Sequence, residues 1–165
     1  MAPIETLLAI EEIKMLKARY CRLLDTKDWD SWRALFADDF VSDTSGSGGK
    51  RIEGADAFVA YVRKALGKPS RTTVHMVHTP EISVTSSSTA SGIWMLEDFV
   101  RFAPGLKLRA YGHYAETYSM VDEYWRLQSS TLTRVREDCM LPLVSFQVTD
   151  RMKRVIARLA PGTAK

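Results

Sequence analysis

Cysteine is scarce in this chain. Cys21 and Cys139 are its whole complement in 165 residues, and no CxxC spacing occurs. That excludes a thiolate metal ribbon and a disulfide-stapled scaffold. Cys21 falls in a helix-like stretch and reads as a buried free thiol, so the default expectation is a cytoplasmic, disulfide-free protein. Long apolar runs are also missing: none approaches the roughly 20 residues that a spanning helix needs. The opening "MAPIETLLAIEEIK" has no basic start and carries acids inside its apolar run, so it predicts no signal peptide. Neither sign of charge dominates. With 23 basic and 20 acidic residues the net charge is +3, too balanced to point to nucleic acid. The basic group Arg151, Lys153, Arg154 and Arg158 reads as a solvated helix face. "SDTSGSGGKR" is glycine-rich but lacks the GK[ST] ending of a phosphate cradle, and no dinucleotide fingerprint is present.

What is present suits one globular domain over residues 1–165, with 45% hydrophobic and 26% charged residues. Ile10, Ile13, Leu16, Tyr20 and Leu24 recur at steps of three and four, which predicts a helix from about Ile4 to Leu24 with Tyr20 on its buried face. Asp28 can cap a short helix whose Trp29, Trp32 and Phe36 point inward. "SDTSGSGGKR" then reads as a loop or loose hairpin. A third helix is expected from about Ala55 to Leu66, with Phe58, Val59, Val62 and Leu66 as its stripe. Four strands follow at about 72–86, 89–102, 107–121 and 124–137, joined by "SSST", "APG" and "VDE". Short connections predict an antiparallel meander. The tail from Phe146 to Leu159 reads as a helix. Helices followed by a long curled antiparallel sheet make an α+β fold, in which the helices cross the mouth of a cone-shaped pocket.

"TVHMVHTPEISV" holds two of the three histidines. The segment reads as a strand, so an offset of three sends His75 and His78 to opposite faces, and a shared metal is not expected. His78 sits two residues before Pro80, so His75 is the better candidate. His113 has weaker support and is left outside the site. Polar residues in apolar company mark the rest. Tyr20 lies on the buried helix face and Asp25 ends that stripe. Asp98 interrupts "GIWMLEDFV", and Arg134 lies in "STLTRVRED". Each has a bland role available. Tyr20 can be core with its hydroxyl on backbone, Asp25 a cap, and His75 a satisfied strand residue. Asp98 and Arg134 can be a structural ion pair, and Arg126 and Arg136 share the alternation of Arg134, which allows that whole face to be solvated. Together the five form a proton-transfer kit. A carboxylate orients an imidazole, a phenol donates a hydrogen bond, and a second carboxylate with an arginine places a polar group.

"IEEIKMLKARYCRLLDTKDWDSWRALFADDF", "HTPEISV", "ASGIWMLED" and "YWRLQSSTLTR" resemble SnoaL-like proteins of the nuclear-transport-factor-like α+β cone superfamily, over about residues 5–138, with 139–165 as a C-terminal extension. The pattern is most similar to bile-acid 7α-dehydratases and more distantly to scytalone dehydratases. The resemblance implies catalytic roles for Tyr20, Asp25, His75, Asp98 and Arg134. The scytalone pattern departs at Leu24, where it has a tyrosine, and around Asp98 to Val100, where it has a second histidine. By strand alternation, Val77, Trp94 and Leu96, together with Trp29, are candidate pocket walls.

The resulting expectation is a cofactor-independent dehydratase that removes water from a bulky apolar hydroxy-ketone or hydroxy-enone, steroid- or polyketide-like in character, with no metal. An isomerase using the same groups, or a non-catalytic ligand-binding module, are the alternatives. The apolar residues on both faces of Ile93 to Arg101 predict a homo-oligomer; the resemblance implies a trimer, with a dimer as the other option. No nucleic-acid or membrane partner is expected.

Overall fold

The computed structural model describes residues 2–159, with side chains as far as Val155. Helix α1 (Pro3–Thr26) starts on a proline in its first turn, and Glu5 accepts the Ala2 backbone N–H at 2.8 Å. Ala9, Ile13, Leu16, Tyr20 and Leu24 form its buried stripe. Lys27 ends it in the left-handed region, at φ 61°. Asp28 then caps the short α2 (Trp29–Arg33), accepting from the Ser31 amide at 3.2 Å. Strands β1 (Phe36–Asp43) and β2 (Arg51–Glu53) form a small hairpin, and α3 (Ala55–Leu66) follows.

The expected meander is β3 (Thr73–Val84), β4 (Thr89–Ala103), β5 (Leu106–Val121) and β6 (Tyr124–Met140). The β5–β6 turn places Asp122 and Glu123 both at positive φ, which matches the twist of a two-residue hairpin. Pro80 sits at a register break in β3, an edge strand that needs no amide there. The curled, unclosed sheet runs β2-β1-β6-β5-β4-β3, and β1 lies parallel to β6, so it is mixed rather than antiparallel throughout. Phe36 accordingly belongs to a strand, not to the short helix. The tail divides into β7 (Ser145–Gln147), paired with β6, and α4 (Asp150–Leu159), where the sequence suggested one helix. Both cysteines are free, and no helix among the described residues is long and apolar enough to cross a membrane.

Two bulges in β6 decide what its side chains face. The β5–β6 register breaks between Thr117 and Tyr118 and again between Tyr111 and Gly112. Ser130, Leu132 and Arg134 therefore face the concave side, while Arg136, beyond the second break, is exposed. A Cβ on Gly112 would lie 2.0 Å from the Thr133 carbonyl oxygen, so only glycine fits opposite this bulge.

The core fills one part of the concave face. Trp94, Leu96, Tyr118, Trp125 and Leu127 pack there, with Trp32, Phe36, Phe40 and Phe58 under the helices. Further along the same strands a cavity of about 230 Å³ remains.

Candidate active site

Asp25 and His75 meet where α1 ends against β3. The His75 Nδ1 lies 2.7 Å from Asp25 Oδ1, and the His75 amide donates to Oδ2 at 2.8 Å. Thr73 Oγ1 donates to Oδ1 at 2.8 Å. A carboxylate only accepts, so Nδ1 carries a proton, and Nε2 is the ring nitrogen not committed to Asp25 on a residue that lines the cavity. Burial pulls the Asp25 carboxyl upward, but the bonds and charge of His75, with Thr73, outweigh it and hold the group below its ordinary value. The sign of the linkage follows. This contribution to stability is present above the ordinary value of 3.8 and is lost as pH falls through the lower folded value. The urea midpoint gap between wild type and Asp25→Asn should be open just above the ordinary carboxylate value of 3.8 and close as pH falls through the lower folded value. A gap that widens on acidification would contradict the assignment.

His75 pairs directly across from Asp98 on β4, so both point to the concave side. Arg134 Nη2 reaches over the intervening β5 to donate to Asp98 Oδ2 at 2.6 Å. Asp98 is only 2% exposed. Tyr20 enters from α1, and its ring stands edge-on to Tyr114 at 6.2 Å. Burial first, then the neighbouring Tyr114 and Glu116, pushes the Tyr20 phenol well above its ordinary value. It is thus a neutral hydrogen-bond donor.

The cavity brings together Tyr20, His75, Asp98 and Arg134, with Asp25 behind the imidazole. Its apolar wall is built by α3 and the strand ends: Phe58, Val62, Leu66, Val100, Phe102 and Leu132. The four residues expected as walls are placed elsewhere. Trp94 and Leu96 share the face of Asp98 but lie deeper in the core, where the Trp94 indole donates to Tyr118 at 2.7 Å. Val77 and Trp29 pack on the core's edge, Trp29 against Trp32. Strand alternation gives a face, not a depth. His78 is exposed, and His113 lies on the other side of β5 from Tyr114.

Sequence reasoning missed Tyr114 and Ser130, which line the cavity, and an ion pair beneath them. Lys17 Nζ lies 2.5 Å from Glu116 Oε1, with both side chains at 0% exposure. Glu116 also accepts from Tyr118 at 2.5 Å and from Ser130 at 3.2 Å. The Lys17 ammonium stands 4.2 Å from the Tyr20 ring centre and 3.9 Å from that of Tyr114. A carboxylate and two π faces thus surround it. The signal was available: Lys17 sits three before Tyr20 on the stripe, and Glu116 alternates with Tyr114 and Tyr118. Cys21, beside this pair, has its thiol pushed up to about 11 by burial, so it is a protonated packing residue. Among the described residues no group of three or more potential ligands is placed to hold a metal.

The SnoaL-like domain model matches residues 5–131. The chain belongs to the SnoaL-like family. Among solved structures, a scytalone dehydratase candidate from Novosphingobium aromaticivorans DSM 12444 is 21% identical at a TM-score of 0.73, covering 79% of this chain and 87% of that one. Hexachlorocyclohexane dehydrochlorinase LinA-type3 from Novosphingobium barchaimii LL02 is 12% identical at 0.72, covering 90% and 96%. An aromatic ring hydroxylase candidate from Novosphingobium aromaticivorans is 20% identical at 0.70, covering 92% and 99%. At these identities the neighbours share the fold, and the fold alone does not choose among the chemistries they are named for. Arg134 stands just past the matched segment, on the strand that the match enters but does not finish.

Proposed function

We propose that this SnoaL-like protein is a cofactor-independent lyase, a dehydratase acting on a compact hydroxy-ketone or hydroxy-enone. The observation that carries the reading is the Asp25–His75 pair, which leaves Nε2 uncommitted on a residue that lines an apolar cavity. In this reading Nε2 takes the proton next to, or vinylogous to, the carbonyl. The electron pair forms the enolate, which Tyr20 meets as a neutral donor. As the enolate collapses the C–O bond breaks, and the imidazolium returns its proton to the departing hydroxide, giving water and neutral His75. Asp98, committed to Arg134, serves as an anchor rather than a proton source. Neighbours named for dehydration and dehydrochlorination support elimination as the class. The alternative is an isomerase, which starts with the same enolisation and returns the proton to carbon.

A volume of about 230 Å³ is below the ~300–1,000 Å³ usual for small-molecule sites. It supports one or two rings rather than the bulky steroid-like skeleton that the sequence suggested. A mass-resolved screen of small hydroxy-ketones and enones tests the reading. Loss of one water by wild type and not by His75→Ala supports the lyase. A product of unchanged mass with a moved double bond supports the isomerase instead, and ligand binding without turnover supports a binding module.

The outer sheet face presents Val74, Met76, Ile93 and Met95, each 37–51% exposed. Such a face supports assembly into a homo-oligomer, with a trimer as the expectation. Light scattering giving the mass of a single chain would remove that part of the reading.

A further inference from the structure

The Asp98–Arg134 pair is only half used. Asp98 Oδ2 is bonded to Arg134 Nη2, but Asp98 Oδ1 and Arg134 Nη1 are buried with no partner in the protein. Both residues line the cavity. Two of the residues that line the cavity thus each keep one buried polar atom, an acceptor on Asp98 and a donor on Arg134, without a protein partner. Their formal charges cancel.

The surrounding charges cancel too. Glu137 approaches the Arg134 guanidinium at 3.9 Å and is itself paired with Lys153. Lys17 and Glu116 are sealed together below the cavity. Asp25 is turned into His75. A ligand at this pair meets no net cation and no net anion.

We infer that the Asp98–Arg134 pair selects uncharged ligands whose polar end both donates and accepts, and rejects carboxylates and ammonium groups of the same shape. A carboxylate could accept from Nη1 but would set an oxygen against Oδ1. An ammonium or amidinium could donate to Oδ1 but would set its N–H groups against the guanidinium. Either would give up its hydration without a compensating charge. A hydroxyl beside a carbonyl, or a primary amide, satisfies both atoms. The substrate class narrows to neutral hydroxy-carbonyl compounds and excludes hydroxy acids and amines. This rests on reading the cavity as the substrate site, but its consequences are for binding and need no turnover.

The test uses three probes of one shape: benzamide, benzoate and benzamidinium, titrated into the full chain by NMR chemical shift at fixed ionic strength. Wild type is expected to bind benzamide at least ten-fold more tightly than either ion. Asp98→Asn, which leaves the guanidinium uncompensated, should move the preference to benzoate by ten-fold or more. Arg134→Gln should move it to benzamidinium. Wild type binding either ion as tightly as benzamide overturns the inference, as does binding none of the three at millimolar concentration. Variants that fold, by circular dichroism, and keep the wild-type ranking also overturn it. If a variant fails to fold, the wild-type ranking alone decides. An absence of any dehydratase activity would leave the ranking standing, so the two readings fail separately.

Discussion

Lys17→Met is expected to destabilise the fold by about 3–5 kcal/mol, because it strands the Glu116 carboxylate without a counter-charge. Both side chains are at 0% exposure, so no water can take over. Tyr118 and Ser130 would still donate to Glu116, yet two hydroxyls do not replace an ammonium. A domain of this size has only about 5–15 kcal/mol to lose, so the change consumes a large part of it. The double variant Lys17→Met, Glu116→Gln removes both charges and should recover most of the loss. Urea denaturation of wild type, both singles and the double closes the cycle. If Lys17→Met costs no more than the double variant, the buried pair is not holding Glu116.

His75→Ala is expected to lower kcat by about 10²–10⁴, the usual share of a general base. KM should change little, since in the proposed role the imidazole acts on a proton rather than anchoring the ligand. Asp25→Asn should fall between the two. The amide keeps only one acceptor oxygen for the two His75 donors, Nδ1–H and the backbone N–H, and it no longer supplies the charge that stabilises the imidazolium. Steady-state kinetics on the substrate found by the screen would measure both. His75→Ala retaining more than a tenth of wild-type kcat would remove His75 from the role of base.

The helices and the meander were legible because each repeats its period over a dozen residues or more. β1 was not. Its second half faces inward at Phe40 and Ser42, but Asp38 and Asp39 are both exposed across a register break, so no alternation marks the strand. Tyr20, Asp25, His75, Asp98 and Arg134 stood out as polar residues in apolar surroundings, and the resemblance added their grouping. Why Arg134 differs from Arg126 and Arg136 was hidden, because the distinction depends on two bulges. Lys17 and Glu116 carried only a positional signal. In "MLKARY" and "YAETY" each looks like an ordinary surface charge, and its meaning depends on a partner 99 residues away.

That separation also governs how the chain comes into being on a ribosome. At about 5–20 residues per second, roughly 5–20 seconds pass between the synthesis of Lys17 and that of Glu116. During that interval α1 can pack on α2 and β3 but not yet on β5. Its lysine stays in water until β5 brings the matching acid. Tyr20 and Asp25 are carried on this same helix, so one wall of the cavity is among the first parts translated and waits for Arg134 on β6 to complete the lining.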